Sequence, residues 1–508
     1  MSPVLALLAT NIAEVEMGVV VRPLLLSISF SLILFFLAWI LFRDTQKAAL
    51  VTSFLLILFF TYGHVYQMIE LKEILGVNIG RHRYLVLLYL VICIAGMWLI
   101  LKKVHKYADA TLILNVVGVF LLMVPIIQML SFTYRISMGE EAANKLKETT
   151  IPSDMQLPDA LPDIYYIILD TYTREDALLR DFQFDNSYFI ESLEALGFYV
   201  ADCSRSNYSY TQGTITAVLN MDYLHDLRDE LNELGLDMGD IWVLLKQSLV
   251  RRKLEDIGYK TVAFDTGYEW SQLHDADLYF RLGTNPYNLQ MSNPFEAMLI
   301  KSTAAILLTE SPYWWMSERM KAINFPYSSY VQTQQLILNQ LAELPSVKGP
   351  QFVFAHILIP HVPYVFDPEG NIRQDPGYYG GVLADPLNES YLVDGYTGEI
   401  QFINSKMLEI SEKIIKNSQP SPIIMIHGDH GLRDENRLQI FNAYYLPEGG
   451  KAALYPSISP VNSFRVVFDT TFGMDYGLLV DESFLGDDIK NPIPETSPLC
   501  KEISNTTQ

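Results

Sequence analysis

Four long, nearly charge-free apolar segments, at 24–42, 48–69, 84–101 and 110–132, constrain this chain more than any other feature. Backbone in a hydrocarbon layer must satisfy its hydrogen bonds internally, so such segments are helices. Each approaches the about 20 residues that cross the layer, and residues 1–135 are predicted to form a four-helix transmembrane domain. The loops set its orientation. Lys and Arg collect at 43–47 and 102–106, which places both loops in the cytoplasm, whereas Arg81 and Arg83 share their loop with Glu70 and Glu73. With four spans, the N-terminus and everything beyond the fourth helix then face outside, as expected of a multi-pass protein of the cell membrane with an extracytoplasmic domain. The apolar stretch 3–10 is an interfacial segment or the stump of a further helix; it lacks the basic leader and cleavage site of a signal peptide.

Composition changes at this boundary. Of the chain's 36 Lys/Arg and 58 Asp/Glu, ten and six fall in the first 135 residues, leaving 26 basic and 52 acidic residues beyond. So acidic a region, with no basic stripe, argues against nucleic acid as a partner. Cys93 lies within the third span, so Cys203 and Cys500 are the two cysteines of the outer part, and an oxidising compartment allows them to pair. Residues 136–161 read as a solvated linker, helical at first and extended through the prolines near its end. A second domain over 162–480 and a tail over 481–508 complete the predicted organisation. Within 162–480, strand-like runs (163–170, 260–264, 351–359, 422–427) alternate with helical patterns (186–196, 241–257, 330–344, 393–417), the mark of an α/β domain with a largely parallel sheet. The aromatic cluster at 313–315 reads first as packing or a membrane-interface contact.

Two of those strands end in metal-competent side chains. The run 422–427 stops at Asp429 and His430 between glycines, and the run 163–169 stops at Asp170. If the two lie side by side, all three side chains converge at the carboxyl edge of the sheet, where open α/β sheets bind ligands. A mixed carboxylate and imidazole set suits one divalent ion, Zn²⁺ or Mn²⁺ before Mg²⁺, better than Ca²⁺. Residues 206–220 open with hydroxyls and turn into an apolar helical pattern, so Thr211 falls near a helix N-terminus, a place for an anion and for a nucleophile. Plain N-capping by Ser209, Thr211 or Thr214 is the alternative.

Four motifs, PDIYYIILDTY at 162–172, SNYSYT with LNMDYL at 206–224, HILIPHVPYVFDPEG at 356–370 and HGDHG at 427–431, make the chain resemble the alkaline phosphatase and sulfatase superfamily. The resemblance is to its membrane-anchored branch, with lipoteichoic acid synthases and phosphoethanolamine transferases. It implies an alkaline-phosphatase-like α/β/α domain and one divalent metal held by Asp170, Thr211, Asp429 and His430. Thr211 would be the nucleophile and His361 a catalytic, substrate-binding histidine; His356 and His427 would bind substrate or orient the ligands from behind. No Cys-x-Pro-x-Arg motif surrounds Cys203, and Thr171 stands where sulfatases place a second Asp, so formylglycine chemistry is not expected. The resemblance implies transfer of a phospho-headgroup from a phospholipid, through a phosphothreonine, to an envelope glycan or lipid. Hydrolysis of phosphate or sulfate esters by the same residues, and a non-catalytic membrane-anchored binding protein, are the two alternatives.

Overall fold

Ile164–Leu169, six consecutive residues without solvent exposure, form the central strand β1 of a seven-stranded sheet. In chain order the others are β2 (Tyr199–Val200), β3 (Lys260–Phe264), β4 (Leu278–Phe280), β5 (Gln351–Ile357), β6 (Ile423–Gly428) and β7 (Asn442–Tyr445). Across the sheet the order is β2-β7-β6-β1-β5-β3-β4. β6, β1, β5, β3 and β4 run parallel, and β7 is antiparallel to both β6 and β2. The computed structural model describes residues 1–12, 15, 17–69, 73–74, 77–78, 81–104, 106–148, 155–282, 294–309, 325–373, 389–447, 449–486, 488–497 and 500. Glu70, the aromatic cluster at 313–315 and the first linker proline, Pro152, lie outside these residues.

The expected α/β domain with a mostly parallel sheet is therefore present. β1, β5 and β6 are buried along their whole length, as parallel strands covered on both faces must be, which is why each reads as a largely apolar run, with Gln351 and His356 in β5 and His427 in β6 as the polar exceptions. All four expected strands occur; the short β2, β4 and β7 are additions to them, because two to four residues carry no period. One helical expectation is corrected. The pattern at 241–257 is two helices, Trp242–Lys246 and Leu249–Asp256, because Ser248 interrupts it and caps the second, accepting a hydrogen bond from the Arg251 amide.

The chain divides into two compact units, and the first combines Met1–Tyr134 with Thr284–Ser329. Its apolar helices are Val21–Phe42, Thr45–Ile69, His82–Lys102 and the start of Tyr107–Glu148, all long and apolar enough to cross a membrane. Rows of exposed Leu, Ile, Val and Phe along them, such as Leu25, Leu32, Ile94 and Phe120, are the surface that lipid would cover. The short N-terminal helix Ser2–Thr10 buries Val4 and Leu8 against Val20 and Phe295. Phe295 belongs to the helix Pro294–Ser302, which pairs Glu296 with Arg22. Gly63 lies so near the Lys301 carbonyl that a Cβ there would stand 2.1 Å from its oxygen.

The second unit combines Arg135–Gly283 with Tyr330–Gln508 and holds the sheet. Its first residues are helical, as expected of the start of the linker, but one side of that helix is packed rather than solvated. Within this unit the helix that ends at Glu148 buries Ala142 and Leu146 with Tyr223, Leu227 and Leu244. Arg135 anchors this turn on Asp240 at 2.9 Å, and Arg252 Nη1 donates to the Leu146 carbonyl. The tail is also packed: Phe484 stacks on Tyr208, and Cys203 and Cys500 form a disulfide across a sequence separation of 297 residues.

Candidate metal-binding and catalytic site

Register brings the strand ends together. Leu169 pairs with Gly428 of β6 on one side and with Ile357 of β5 on the other, so the next residue of β1, Asp170, lies level with Asp429 at the carboxyl edge. Thr171 then takes a left-handed conformation (φ 64°), unusual for a β-branched side chain. That turn aims its amide at Asp429 Oδ1 (2.8 Å), which also accepts from the His430 amide (2.9 Å). With Oδ1 so engaged, Asp429 Oδ2 has no hydrogen-bond partner, nor has Asp170 Oδ1, and both carboxylates are buried. Two flanking glycines make the approach feasible. A Cβ on Gly428 would stand 2.2 Å from the Tyr172 carbonyl oxygen, and one on Gly431 2.2 Å from that of Asn436.

His430 completes the group. Its Nδ1 lies 3.0 Å from the Gly431 carbonyl oxygen and must donate to it, which leaves a lone pair on Nε2. Nε2 faces Asp429 Oδ2 and Thr211 Oγ1, each at 3.4 Å. One ligand atom each from Asp170, Asp429 and His430 lies within 4.8 Å of the others. Two orphaned carboxylate oxygens and an imidazole lone pair, all buried, form a group able to hold a divalent metal ion and a costly arrangement without a cation.

Thr211 opens the helix Thr211–Asn220, where backbone N–H groups lack helical partners. The N-cap is Tyr210, which makes no side-chain cap, so the capping alternative is not what the structure contains. The neighbouring hydroxyls are committed elsewhere: Ser206 Oγ and Thr214 Oγ1 lie 2.5 and 3.1 Å from the Asp429 carbonyl oxygen, and Ser209 Oγ accepts from the Gly486 amide.

The three other expected histidines are placed differently from one another. His356, on β5, puts Nε2 3.3 Å from Asp170 Oδ2. His361 follows in the loop, with Nδ1 2.6 Å from the Val362 carbonyl oxygen, so Nε2 is its free nitrogen. Burial would raise the Asp170 carboxyl, but His361, His356 and His430 together hold it below the ordinary range. His427 does not reach the group. Its Nε2 meets the Tyr166 hydroxyl at 2.9 Å and its Nδ1 the Gly428 carbonyl oxygen, and burial pushes its pKa down to about 4. Two contributors escape sequence reasoning. Glu399 Oε1 accepts from the Val365 and Phe366 amides and so fixes the loop that carries His361, while Arg437 donates to His430 Nε2. Neither belongs to a strand end or motif; the fold brings Glu399 to residues more than 30 positions away, and the turn after His430 sends Arg437 back to it across seven residues.

No protein-family model and no curated protein matches the chain. Solved structures do. The C-terminal periplasmic domain of EptC from Escherichia coli aligns at 12% identity and a TM-score of 0.44, covering 70% of this chain and 100% of that one. The integral membrane lipooligosaccharide phosphoethanolamine transferase A from Neisseria meningitidis aligns at 10% identity and 0.39, covering 84% and 82%. The lipoteichoic acid synthase LtaP from Listeria monocytogenes aligns at 11% and 0.34, covering 66% and 78%. These come from the groups that the four motifs resemble.

Proposed function

We propose that the chain is a membrane-anchored, metal-dependent phosphoryl-group transferase whose acidic domain faces the outside of the cell. The observation that supports this reading is the set of orphaned oxygens on Asp170 and Asp429 beside the His430 lone pair, with the Thr211 hydroxyl against the same nitrogen. Asp170, Asp429, His430 and Thr211 would hold one Zn²⁺ or Mn²⁺. Bound there, the ion supplies Lewis-acid stabilisation of a hydroxyl and of phosphoryl oxygens.

The residues do the rest. Thr211 Oγ attacks phosphorus in line; the P–O bond to the lipid alcohol breaks, and the proton lost by Thr211 ends on the departing alkoxide. His361, with Nδ1 tied to a carbonyl, offers Nε2 for that proton transfer. The first turn of the helix Thr211–Asn220 directs N–H groups at the phosphoryl oxygens. An acceptor alcohol from an envelope glycan or lipid then attacks the phosphothreonine and restores the threonine.

Intact mass of the full-length protein after incubation with phosphatidylethanolamine or phosphatidylglycerol tests this. An adduct of the headgroup phosphate on Thr211 is expected; no adduct from either lipid would refute the covalent route, and rapid loss of the adduct to water would make the protein a hydrolase. Asp429→Ala should abolish stoichiometric metal binding, read by elemental analysis, and an unchanged metal content would overturn the ligand set.

A further inference from the structure

We propose that Arg437 is the cation that grips the anionic oxygens of the transferring phosphoryl group, a role that rests on the transferase reading above. Its guanidinium joins the two segments that build the site. Nε donates to the carbonyl of Ser209 (2.9 Å), two residues before Thr211, and Nη1 to that of Gly431 (3.2 Å), next to His430. Nη2 lies 3.2 Å from His430 Nε2, the same nitrogen that faces Thr211 Oγ1 at 3.4 Å. The charge is thus fixed beside the attacking hydroxyl.

A guanidinium has five N–H donors, and these three contacts leave two unused. A metal ion that took the His430 lone pair would free the third. Donors freed by metal loading, at a place where phosphoryl oxygens must lie, favour a planar fork over a point charge. Charge agrees. The Asp170 and Asp429 carboxylates cancel a divalent ion, so Arg437 leaves the group with a net positive charge, the complement of a phosphodiester monoanion such as a phospholipid headgroup linkage.

The test uses the full-length, zinc-loaded protein and inorganic phosphate. Calorimetric titration should show phosphate binding weakened about 10- to 100-fold in Arg437→Gln, with an intermediate loss in Arg437→Lys and unchanged zinc content in both. Equal phosphate affinity in wild type and Arg437→Gln would overturn the proposal. So would loss of zinc together with phosphate, since Arg437 would then act only by positioning His430. A second measurement avoids the variants: phosphate should protect Arg437 of the wild-type protein from phenylglyoxal, as read by peptide mass, and modification at the same rate with and without phosphate would also overturn the proposal. Phosphate held by Arg437 without any lipid adduct on Thr211 would refute transfer and leave the anion site standing.

Discussion

Thr211 stands at the start of one helix and against the ring nitrogen of His430, so a single hydroxyl is offered both to the ligand group and to a set of unpaired amides. Removing it should spare the fold and spare metal bound through Asp170, Asp429 and His430. Thr211→Ala is expected to lose more than about 10⁴-fold in turnover while its melting temperature and metal content change little. Thr211→Ser should recover part of the rate, because its hydroxyl reaches the same nitrogen with one methyl fewer to hold the rotamer. Near-normal turnover in the alanine variant would remove Thr211 from the mechanism. Glu399 makes a different prediction. Burial raises its carboxyl from 4.5 to about 8, an effect only partly offset by the Phe366 and Val365 amides, and Oε2 has no partner. A folded-state pKa above the unfolded one gives stability that is complete below pH 4.5 and is lost as pH rises through 8. Glu399→Gln keeps the acceptor for both amides and has no proton to lose. Its melting temperature should exceed that of wild type at pH 8, with the gap closing by pH 4.5, and an equal pH profile for the two proteins would contradict a protonated Glu399.

At the scale of the element, the strand ends matter more than the strands. β1, β5 and β6 are interchangeable in kind, each apolar and buried, and what distinguishes β6 is that it terminates in Gly428-Asp429-His430-Gly431. Those glycines are where another backbone passes. Gly428→Ala would press a methyl onto the Tyr172 carbonyl, 2.2 Å away, and neither backbone can yield without moving Thr171 and Asp429. A loss of about 3 kcal/mol in unfolding free energy is expected from such overpacking, with weakened metal binding, and chemical denaturation beside elemental analysis would check both. The same scale explains what sequence patterns could resolve. Long buried strands announce themselves by continuous apolar composition, whereas β2, β4 and β7 are too short to show a period. The break between Trp242–Lys246 and Leu249–Asp256 depends on one serine cap inside an otherwise continuous helical pattern.

For the whole molecule, the described residues beyond 480 are part of the second unit rather than an appendage to it. The Cys203–Cys500 disulfide, the Phe484–Tyr208 stack and the Gly486 amide on Ser209 tie residues beyond 480 to the segment that leads into Thr211. Cys500→Ser should therefore cost about 2–5 kcal/mol of stability, measured by denaturant unfolding under non-reducing conditions; equal stability in the two proteins would show that the bridge constrains nothing. Sequence alone determined the features that depend on local composition: the apolar helices, the buried strands, the acidic part that follows the helices, and Asp170, Asp429, His430 and Thr211 as residues that chemistry could use. Each of these is a property of a run of neighbours, and lipid or a sheet interior selects such runs directly. Tertiary structure alone decided the rest: that β1 lies between β5 and β6 in a register that levels Asp170 with Asp429, that His356 reaches Asp170 while His427 turns to Tyr166, that Glu399 holds the Val365 and Phe366 amides, and that Arg437 meets His430. Most of those contacts join residues far apart in the chain, Arg437 and His430 lying only seven residues apart, and no local pattern carries the register or the side-chain direction that makes them.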